Sequence, residues 1–203
     1  MRESYSLVLV GGLIGAPAIA GTLDLSVQLP QLNVAEYHRP YVAVWLERED
    51  RSVAANLAVW YQQERQRMAG PGGNAAGAGG PSGAAPGGGP GGGGPQMGGE
   101  SGTKWLPDLR QWWRRTGRDL TVPADGITGA TRPAGEQHLH FAEGTAPLTA
   151  LAPGRYRLVI EAAREDGGRE VLDLPFEWPV KSAQDLQAQG SSELGAVKLS
   201  LKR

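Results

Sequence analysis

The chain has 203 residues, a formal net charge of -1 and no cysteine. The near-neutral charge argues against nucleic acid as a partner, because phosphate binding requires a concentrated basic surface. Without cysteine there is no disulfide, thiol nucleophile or thiolate metal ligand, so burial of apolar surface has to stabilise the fold.

Residues 1–20 have the pattern of an export signal. Arg2 supplies a positive charge, residues 7–16 are apolar, and Ala18 and Ala20 are small residues at the positions that signal peptidase reads. The apolar run is too short to anchor the chain in a bilayer. We predict a cleavable signal peptide at 1–20 and a periplasmic mature protein that does not span the membrane. A buried N-terminal strand is the alternative.

Three strands are predicted in the first part of the mature chain. Residues 22–30 alternate apolar and polar side chains, which is the period of a half-buried strand. Residues 39–50 contain a run that is apolar on both faces, as in a central strand, and the charged residues from Glu47 to Arg51 are predicted to turn the chain. Residues 53–61 are predicted to return beside it as its hairpin partner.

Residues 70–102 consist mostly of Gly, Ala and Pro, without a charge between Arg67 and Glu100. Such a composition cannot bury enough apolar surface to offset the entropy of the chain, so we predict a disordered insertion. Closing a loop of this length costs only about 2 kcal/mol more than closing a short one. The insertion is therefore predicted to interrupt a single domain that spans residues 21–203.

A short helix is predicted directly after the insertion. Pro107 is tolerated only in the first turn of a helix, so the helix is expected to begin near Leu106. Apolar residues recur with the spacing of one helix face, and arginines occupy much of the rest. The apolar face carries Trp105, Leu109, Trp112 and Trp113, and the remaining surface carries Arg110 and Arg114.

This Trp-rich helix has two possible roles. It is too short to be stable alone in water, so it has to dock on the rest of the domain. Burying one Trp contributes on the order of 5 kcal/mol before entropy losses, which exceeds the closure cost of the insertion. We therefore predict that it closes one end of the β-structure. The alternative is an exposed Trp and Arg surface that binds a partner, since binding hot spots favour these residues.

The remainder of the chain is predicted to be β-structure. Residues 123–135 are dense in turn formers, and a polar connector precedes the last strand. Strands are predicted at 136–141, 153–166, 169–180 and 194–202. Because alternating β and α units are missing, the pattern indicates an all-β fold. We expect an antiparallel immunoglobulin-like β-sandwich with one short Trp-rich helix and the long disordered Gly/Pro-rich insertion.

The motif DGITGATRPAG, residues 125–135, contains the first candidate binding residues. Asp125 can accept backbone N–H bonds, and Thr128, Thr131 and Arg132 can form hydrogen bonds across the loop. One interpretation is a structural loop that satisfies its own hydrogen bonds. The other is an anion site that uses Arg132, together with Arg110 or Arg114.

His138 and His140 form the second candidate site. Residues two apart on a strand point to the same face, so the two imidazoles could share a metal ion, with Glu136 on the same side. In the absence of cysteine the ligands would be nitrogen and oxygen. The alternative is a pair of solvated histidines on a polar strand face.

The sequence contains no signature of catalysis. A GxSxG elbow, an HExxH helix and a phosphate loop are all missing. Glu161, Glu165 and Asp166 lie on a predicted strand and at its end without an acid–base partner, which indicates a salt-bridged sheet face. We expect no enzymatic activity and no cofactor.

The order of the motifs resembles a bacterial family of predicted periplasmic proteins, domain of unknown function 2271. The matching pieces cover nearly all of residues 24–201 outside the insertion: RPYVAVWLE, NLAVW, KWLPDLRQWW, DGITGATRPAG, PGRYRLVIEAARE and ELGAVKLSL. The chain departs from the family at HFAEG (140–144), where relatives tend to have Trp-Asp-Gly. The resemblance implies an exported β-sandwich without an established reaction, loosely associated with PepSY-type membrane proteins, flavin-transfer proteins and iron uptake.

Together these observations predict a non-catalytic binding or accessory module that contacts a periplasmic or inner-membrane protein. The resemblance adds a link to membrane redox or iron-uptake systems. The alternative is a periplasmic carrier of a small ligand or metal, using His138 and His140 or the Arg132 loop.

Overall fold

The computed structural model describes residues 21–34, 36–63, 102–165 and 167–203. The signal peptide predicted at residues 1–20 lies outside the described residues. Of the disordered insertion predicted at residues 70–102, only Gly102 is described, so that prediction also lies almost wholly outside them.

Nine strands in the described residues form two sheets, which confirms the all-β class. One sheet has four strands in the order β5-β1-β9-β8, and the other has five in the order β4-β3-β2-β6-β7. Neighbours are antiparallel except β3 and β4, which are parallel. The strands are β1 Thr22–Leu29, β2 Tyr41–Arg48, β3 Val53–Tyr61, β4 Thr128–Ala130, β5 Gly135–Ala142, β6 Gly154–Ala163, β7 Arg169–Trp178, β8 Gln184–Gln189 and β9 Ala196–Lys202.

The inward-facing side chains of both sheets belong to one hydrophobic cluster. On β1, every second residue is buried, as the alternating pattern of residues 22–30 predicts. On β2, every residue from Tyr41 to Glu47 is buried, so this strand is covered on both faces. The apolar run of β2 is therefore confirmed as a central strand, and it requires a second layer outside the five-stranded sheet.

The Trp-rich segment supplies that outer layer. It consists of a 3₁₀ helix at Gly102–Asp108, the α-helix α1 at Arg110–Arg115 and a 3₁₀ turn at Gly117–Asp119. A second hydrophobic cluster joins its buried side chains to the outer face of β2, β3 and β6. The prediction that this segment closes one end of the β-structure is therefore wrong, because the uncovered apolar face of β2 lies on the sheet and not at its end.

The start of the helix also differs from the prediction. The α-helix begins at Arg110, and the turn that contains Pro107 is 3₁₀. Proline has no N–H to donate, and short 3₁₀ turns are common at the ends of α-helices. As a consequence the tryptophans do not share one continuous α-helical face. Trp112 is buried, whereas Trp105 and Trp113 are half-buried.

Two strands are not predicted by the sequence pattern. β4 is three residues long, contains Gly129 and lies within the turn-rich region. β8 has the sequence QDLQAQ, without a β-branched or aromatic residue, and was predicted as a polar connector. Both are edge strands, and each pairs with only one neighbour. Their conformation comes from that pairing and not from local propensity.

The described residues on the two sides of the gap at 64–101 meet at one point of the fold. The backbone N–H of Gly102 donates to the carbonyl oxygen of Gln62 at 3.1 Å. A Cβ added at Gly102 would lie 2.2 Å from the same oxygen, so the close approach requires glycine. The chain therefore leaves the five-stranded sheet after β3 and returns beside it.

The described part of the chain contains no helix with the length and apolar character that a membrane span requires.

Candidate binding surface on the five-stranded sheet

Glu161 on β6 anchors the Trp-rich layer to the sheet. Its side chain is fully buried and accepts the backbone N–H groups of Gln111 at 3.0 Å and Trp112 at 2.7 Å. Arg169 on β7 pairs with the same carboxylate. A buried carboxylate is tolerated only when it is paired and hydrogen-bonded, and these three partners meet that requirement. The predicted salt bridge of Glu161 is present, but it lies beneath α1 and not on an open face.

Trp112 is the buried centre of the layer. Its indole N–H donates to Asn56 Oδ1 at 3.0 Å, and Asn56 Nδ2 donates to Thr116 Oγ1 at 3.0 Å. Gly117 lies against the ring, where an added Cβ would approach it to 2.5 Å. These contacts connect the middle and the C-terminal end of α1 to Asn56 on β3, so the position of the layer on the sheet is fixed by hydrogen bonds as well as by apolar packing.

A second buried carboxylate, Glu47 on β2, lies at the other end of this interface. It accepts the indole N–H of Trp45 at 3.0 Å and a hydrogen bond from Arg157 at 3.1 Å. Arg115 of α1 lies 3.7 Å away and Arg51 lies 4.0 Å away. Three guanidinium groups therefore surround one carboxylate.

The sequence pattern placed Glu47 in the charged turn after β2, and it did not single out Asn56. The signal that locates Glu47 is the period of the strand. Glu47 is two, four and six residues after Trp45, Ala43 and Tyr41, so its side chain lies on the same outer face of β2 as theirs.

Burial also changes the acidity of Tyr41, at the opposite end of the same face. Burial raises the pKa of Tyr41 to about 12, and the negative charges of Glu165 and Asp108 act in the same direction. The phenol is therefore neutral at any physiological pH.

The outward side of the layer combines aromatic and basic side chains. Trp105 and Trp113 are half-buried, and Arg110 and Arg114 are exposed. Arg114 Nε donates to the carbonyl oxygen of Arg110 at 3.1 Å, which holds the side chain along α1. Residues 102–119 contain five basic and two acidic residues. We call Trp105, Arg110, Trp113 and Arg114 the Trp–Arg surface.

The DGITGATRPAG motif forms a strap beside β3. Thr128 Oγ1 donates to the carbonyl oxygen of Ala124 at 3.0 Å, and the N–H of Thr131 donates to the carbonyl oxygen of Tyr61 at 3.1 Å. The Arg132 guanidinium lies 4.6 Å from the centre of the Trp60 ring, a cation–π contact. Asp125 is exposed at the tip of the loop. The contacts of Thr128, Thr131 and Arg132 fit the structural interpretation, and an anion site at Arg132 stays a prediction.

His138 and His140 lie on the outer face of the four-stranded sheet, beside a shallow cavity of about 330 Å³. His140 Nδ1 contacts the carboxylate of Asp24 on β1. That hydrogen bond and the nearby Lys202 lower the pKa of Asp24 despite partial burial. His138 Nε2 lies 3.8 Å from Glu136. Within the described ranges, no group of three or more His, Cys, Asp or Glu side chains is arranged to hold a metal ion.

The predicted binding residues therefore fall into three separate places. The outer layer contains Trp105, Arg110, Trp112, Trp113 and Arg114. The strap contains Asp125, Thr128, Thr131 and Arg132. The opposite sheet contains His138 and His140.

Comparison with known proteins agrees with the resemblance read from the motifs. A family model described as "Predicted periplasmic protein (DUF2271)" matches residues 22–196. A comparison with curated proteins found no match, and neither did a comparison with solved structures. The match runs from β1 to the first residue of β9 and includes the Trp-rich layer, and on this basis the chain belongs to the DUF2271 family of predicted periplasmic proteins.

Proposed function

We propose that this protein is a non-catalytic periplasmic binding or accessory module, and that the Trp–Arg surface is its contact area. The observation that carries the proposal is the partial exposure of Trp105 and Trp113 beside the exposed Arg110 and Arg114. Trp and Arg dominate binding hot spots, because they combine a large apolar area with hydrogen-bond donors. A periplasmic or inner-membrane protein is the expected partner, and the family resemblance adds a link to redox or iron-uptake systems.

The anchoring of the layer supports this role. Glu161 and Asn56 hold α1 on the sheet, so the exposed side chains start from a fixed backbone. A surface that is already ordered loses less conformational entropy when it binds. An aromatic and basic surface on a rigid support is better suited to a lasting contact than the same residues on a free loop.

We also infer that the two sheets form a variant of the immunoglobulin-like sandwich. The order β3-β2-β6-β7 corresponds to strands C′, C, F and G, and the neighbours β5 and β1 correspond to E and B. In immunoglobulin domains strand A lies beside strand B, and in this chain β9 occupies that position. The fold by itself does not indicate a function, so the proposal rests on the surface.

Cross-linking in cells followed by affinity capture tests the proposal. The wild-type protein is expected to capture a defined partner that the Arg110→Glu, Arg114→Glu double variant does not capture. Both side chains are exposed, so the variant is expected to unfold at the wild-type temperature. A His138→Ala, His140→Ala variant, altered on the opposite sheet, is the matched control and retains the partner. Equal capture by both variants would contradict the proposal.

The second candidate is a small-ligand or metal carrier. It is favoured by the position of His138 and His140 on one strand face beside a cavity. Metal analysis of the purified protein, with His138→Ala beside the wild type, tests it. If no metal copurifies and added metal leaves the thermal unfolding of the wild type unchanged, the metal version is wrong.

A further inference from the structure

The four edge strands of the two sheets differ in how well they could pair with another chain. β4 has only three residues, and β7 carries Pro175, which has no N–H to donate. β8 has six residues with little intrinsic preference for a strand. β5 has eight residues, contains no proline and pairs with β1 without a shift in register. A long, regular edge of this kind is a template for pairing with a further strand.

The hydrogen bond at the end of the β1–β5 ladder shows which backbone groups of β5 face outward. The N–H of Glu143 donates to the carbonyl oxygen of Gly21 at 2.9 Å. Because successive strand residues direct their N–H and C=O groups to opposite sides, the odd-numbered residues of β5 bond to β1 and the even-numbered residues point away from it. Within the described residues, the backbone groups of Glu136, His138 and His140 therefore have no partner. They leave three donors and three acceptors along this edge.

Hydrogen bonding favours one register for two copies of this strand. When His138 lies opposite the same residue of a second copy, Glu136 lies opposite His140, and all three donors and acceptors of each strand are used. A shift by two residues in one direction requires the carbonyl oxygen of Ala142, which already accepts a hydrogen bond from the turn after β5. A shift in the other direction requires Ala134, which precedes the strand.

The side chains are complementary in the same register. Glu136, His138 and His140 are 49%, 73% and 63% exposed, so they are accessible to a second copy. The register places the acidic Glu136 opposite the basic His140, and opposite charges across a strand pair are favourable. On the inner face, Leu139 lies opposite Gln137 of the second copy. Leu139 is only half-buried in one copy, and the second copy covers it further.

We propose that the protein forms a two-fold symmetric dimer through β5, in which two four-stranded sheets join into one antiparallel sheet. Main-chain hydrogen bonds supply the affinity in edge pairing of this kind, and the two-fold axis passes through His138. The contact area is small, so the dimer is expected to dissociate in the range of about 10 μM to about 1 mM. The dimer goes beyond the proposed function, because it leaves the Trp–Arg surface of each copy, on the other sheet, uncovered.

Sedimentation equilibrium up to about 500 μM tests the dimer, with EDTA present so that no metal links the histidines. The wild type is expected to show a monomer–dimer equilibrium. His138→Lys places two like charges opposite each other at the two-fold axis and is expected to weaken the dimer about fivefold. The matched control Gln187→Lys adds the same charge in the middle of β8, at the other edge of the sheet, and is expected to associate like the wild type.

Both substituted side chains are exposed, so both variants are expected to unfold at the wild-type temperature. A wild type that stays monomeric under these conditions, or an equal loss of association in both variants, would overturn the proposal.

Disulfide cross-linking tests the register, because the chain has no cysteine of its own. Residues opposite each other in a hydrogen-bonded pair have Cα atoms about 5.5 Å apart, within the range that a disulfide spans. Mild oxidation of His138→Cys is therefore expected to give a covalent dimer. In Glu136→Cys the two thiols are four residues apart along the strands, about 13 Å, and at least about tenfold less dimer is expected in the same time. Equal yields, or a higher yield from Glu136→Cys, would contradict the register.

Discussion

At the scale of single residues, two buried carboxylates organise the outer layer. Glu47 and Glu161 both lie on the outer face of the five-stranded sheet, one towards each end of α1. Neither is paired with another acid, and each has cationic partners from neighbouring strands. Their arrangement is that of a structural clamp, in which charge and hydrogen bonds hold one element against another.

Replacing Glu161 tests the clamp directly. Glu161→Ala leaves Arg169 without its partner and two backbone N–H groups of α1 without an acceptor. Removing one member of a buried pair typically costs about 3–5 kcal/mol of the free energy of unfolding. Urea unfolding followed by tryptophan fluorescence measures it. The control Asp173→Ala, exposed on β7, is expected to change stability by less than about 0.5 kcal/mol. Similar losses in both variants would argue against the clamp.

Gly117 provides a second residue-scale prediction. A Cβ at this position would lie 2.5 Å, 2.6 Å and 2.9 Å from three atoms of the Trp112 ring. Gly117→Ala therefore forces the ring or α1 to move, and overpacking of this kind costs about 1–3 kcal/mol. In the control Gly154→Ala, the nearest heavy atom is 3.9 Å away. Thermal denaturation is expected to show a lower midpoint for Gly117→Ala only, and unchanged midpoints for both would contradict the packing.

At this scale the sequence predicted some side chains correctly. At least one Trp of this segment was expected in the core, because its burial contributes more than closing the insertion costs. The sequence left open which one, and the structure buries Trp112. Neither Glu47 nor Asn56 was recognised. A polar residue next to a charged turn looks solvated in sequence, and only the layer above it makes it buried.

At the scale of elements, the Trp-rich layer and the insertion are neighbours in sequence with different roles. The layer begins at Gly102, whose N–H donates to the carbonyl oxygen of Gln62, directly after the end of β3. Gln62 and Gly102 are therefore joined by the fold itself, whatever the length of chain between them. A shorter chain segment between Gln62 and Gly102 would allow the same hydrogen bond between them.

Deleting residues 72–98 tests whether a shorter connection between β3 and the Trp-rich layer is tolerated. The variant retains Gln62, Gly102 and the twelve residues 63–71 and 99–101 between them, and its free energy of unfolding is expected to change by less than about 2 kcal/mol. Chemical denaturation of the variant and the full chain under the same conditions gives the difference. A loss larger than this would mean that the deleted residues contribute contacts to the folded domain, and would contradict the prediction of a tolerated insertion.

The elements themselves were predicted unevenly. Strands with clear alternation or a long apolar run, such as β1 and β2, were predicted within about two residues of their ends. β4 and β8 were not, because pairing at a sheet edge gives a strand to residues with little intrinsic preference for one.

At the scale of the whole molecule, the two parts of the chain on either side of the insertion are interleaved. β1 lies between β5 and β9, and β2 lies between β3 and β6. The first part therefore contributes only interior strands, β1 to one sheet and β2 and β3 to the other. The second part contributes the remaining interior strands, β9 and β6, and every edge strand. Neither part retains a complete sheet face without the other.

A cut within the insertion tests this interleaving. A protease site engineered between residues 72 and 98 is expected to give two pieces that elute together in gel filtration under native conditions. They are expected to separate only in denaturant, because the pairing of β1 and β2 and the shared core hold them. Separate elution of two folded pieces under native conditions would contradict a single domain.

The sequence alone determined the all-β class, the central position of β2 and the family, because each depends on local periodicity or on a motif of contiguous residues. Tertiary structure decided where the Trp-rich segment docks, which glutamates are buried and which arginines surround Glu47. Those features depend on residues more than a hundred positions apart, such as Glu47 and Arg157, whose pairing follows from strand register. The local pattern of apolar and polar residues does not indicate which strands pair with each other.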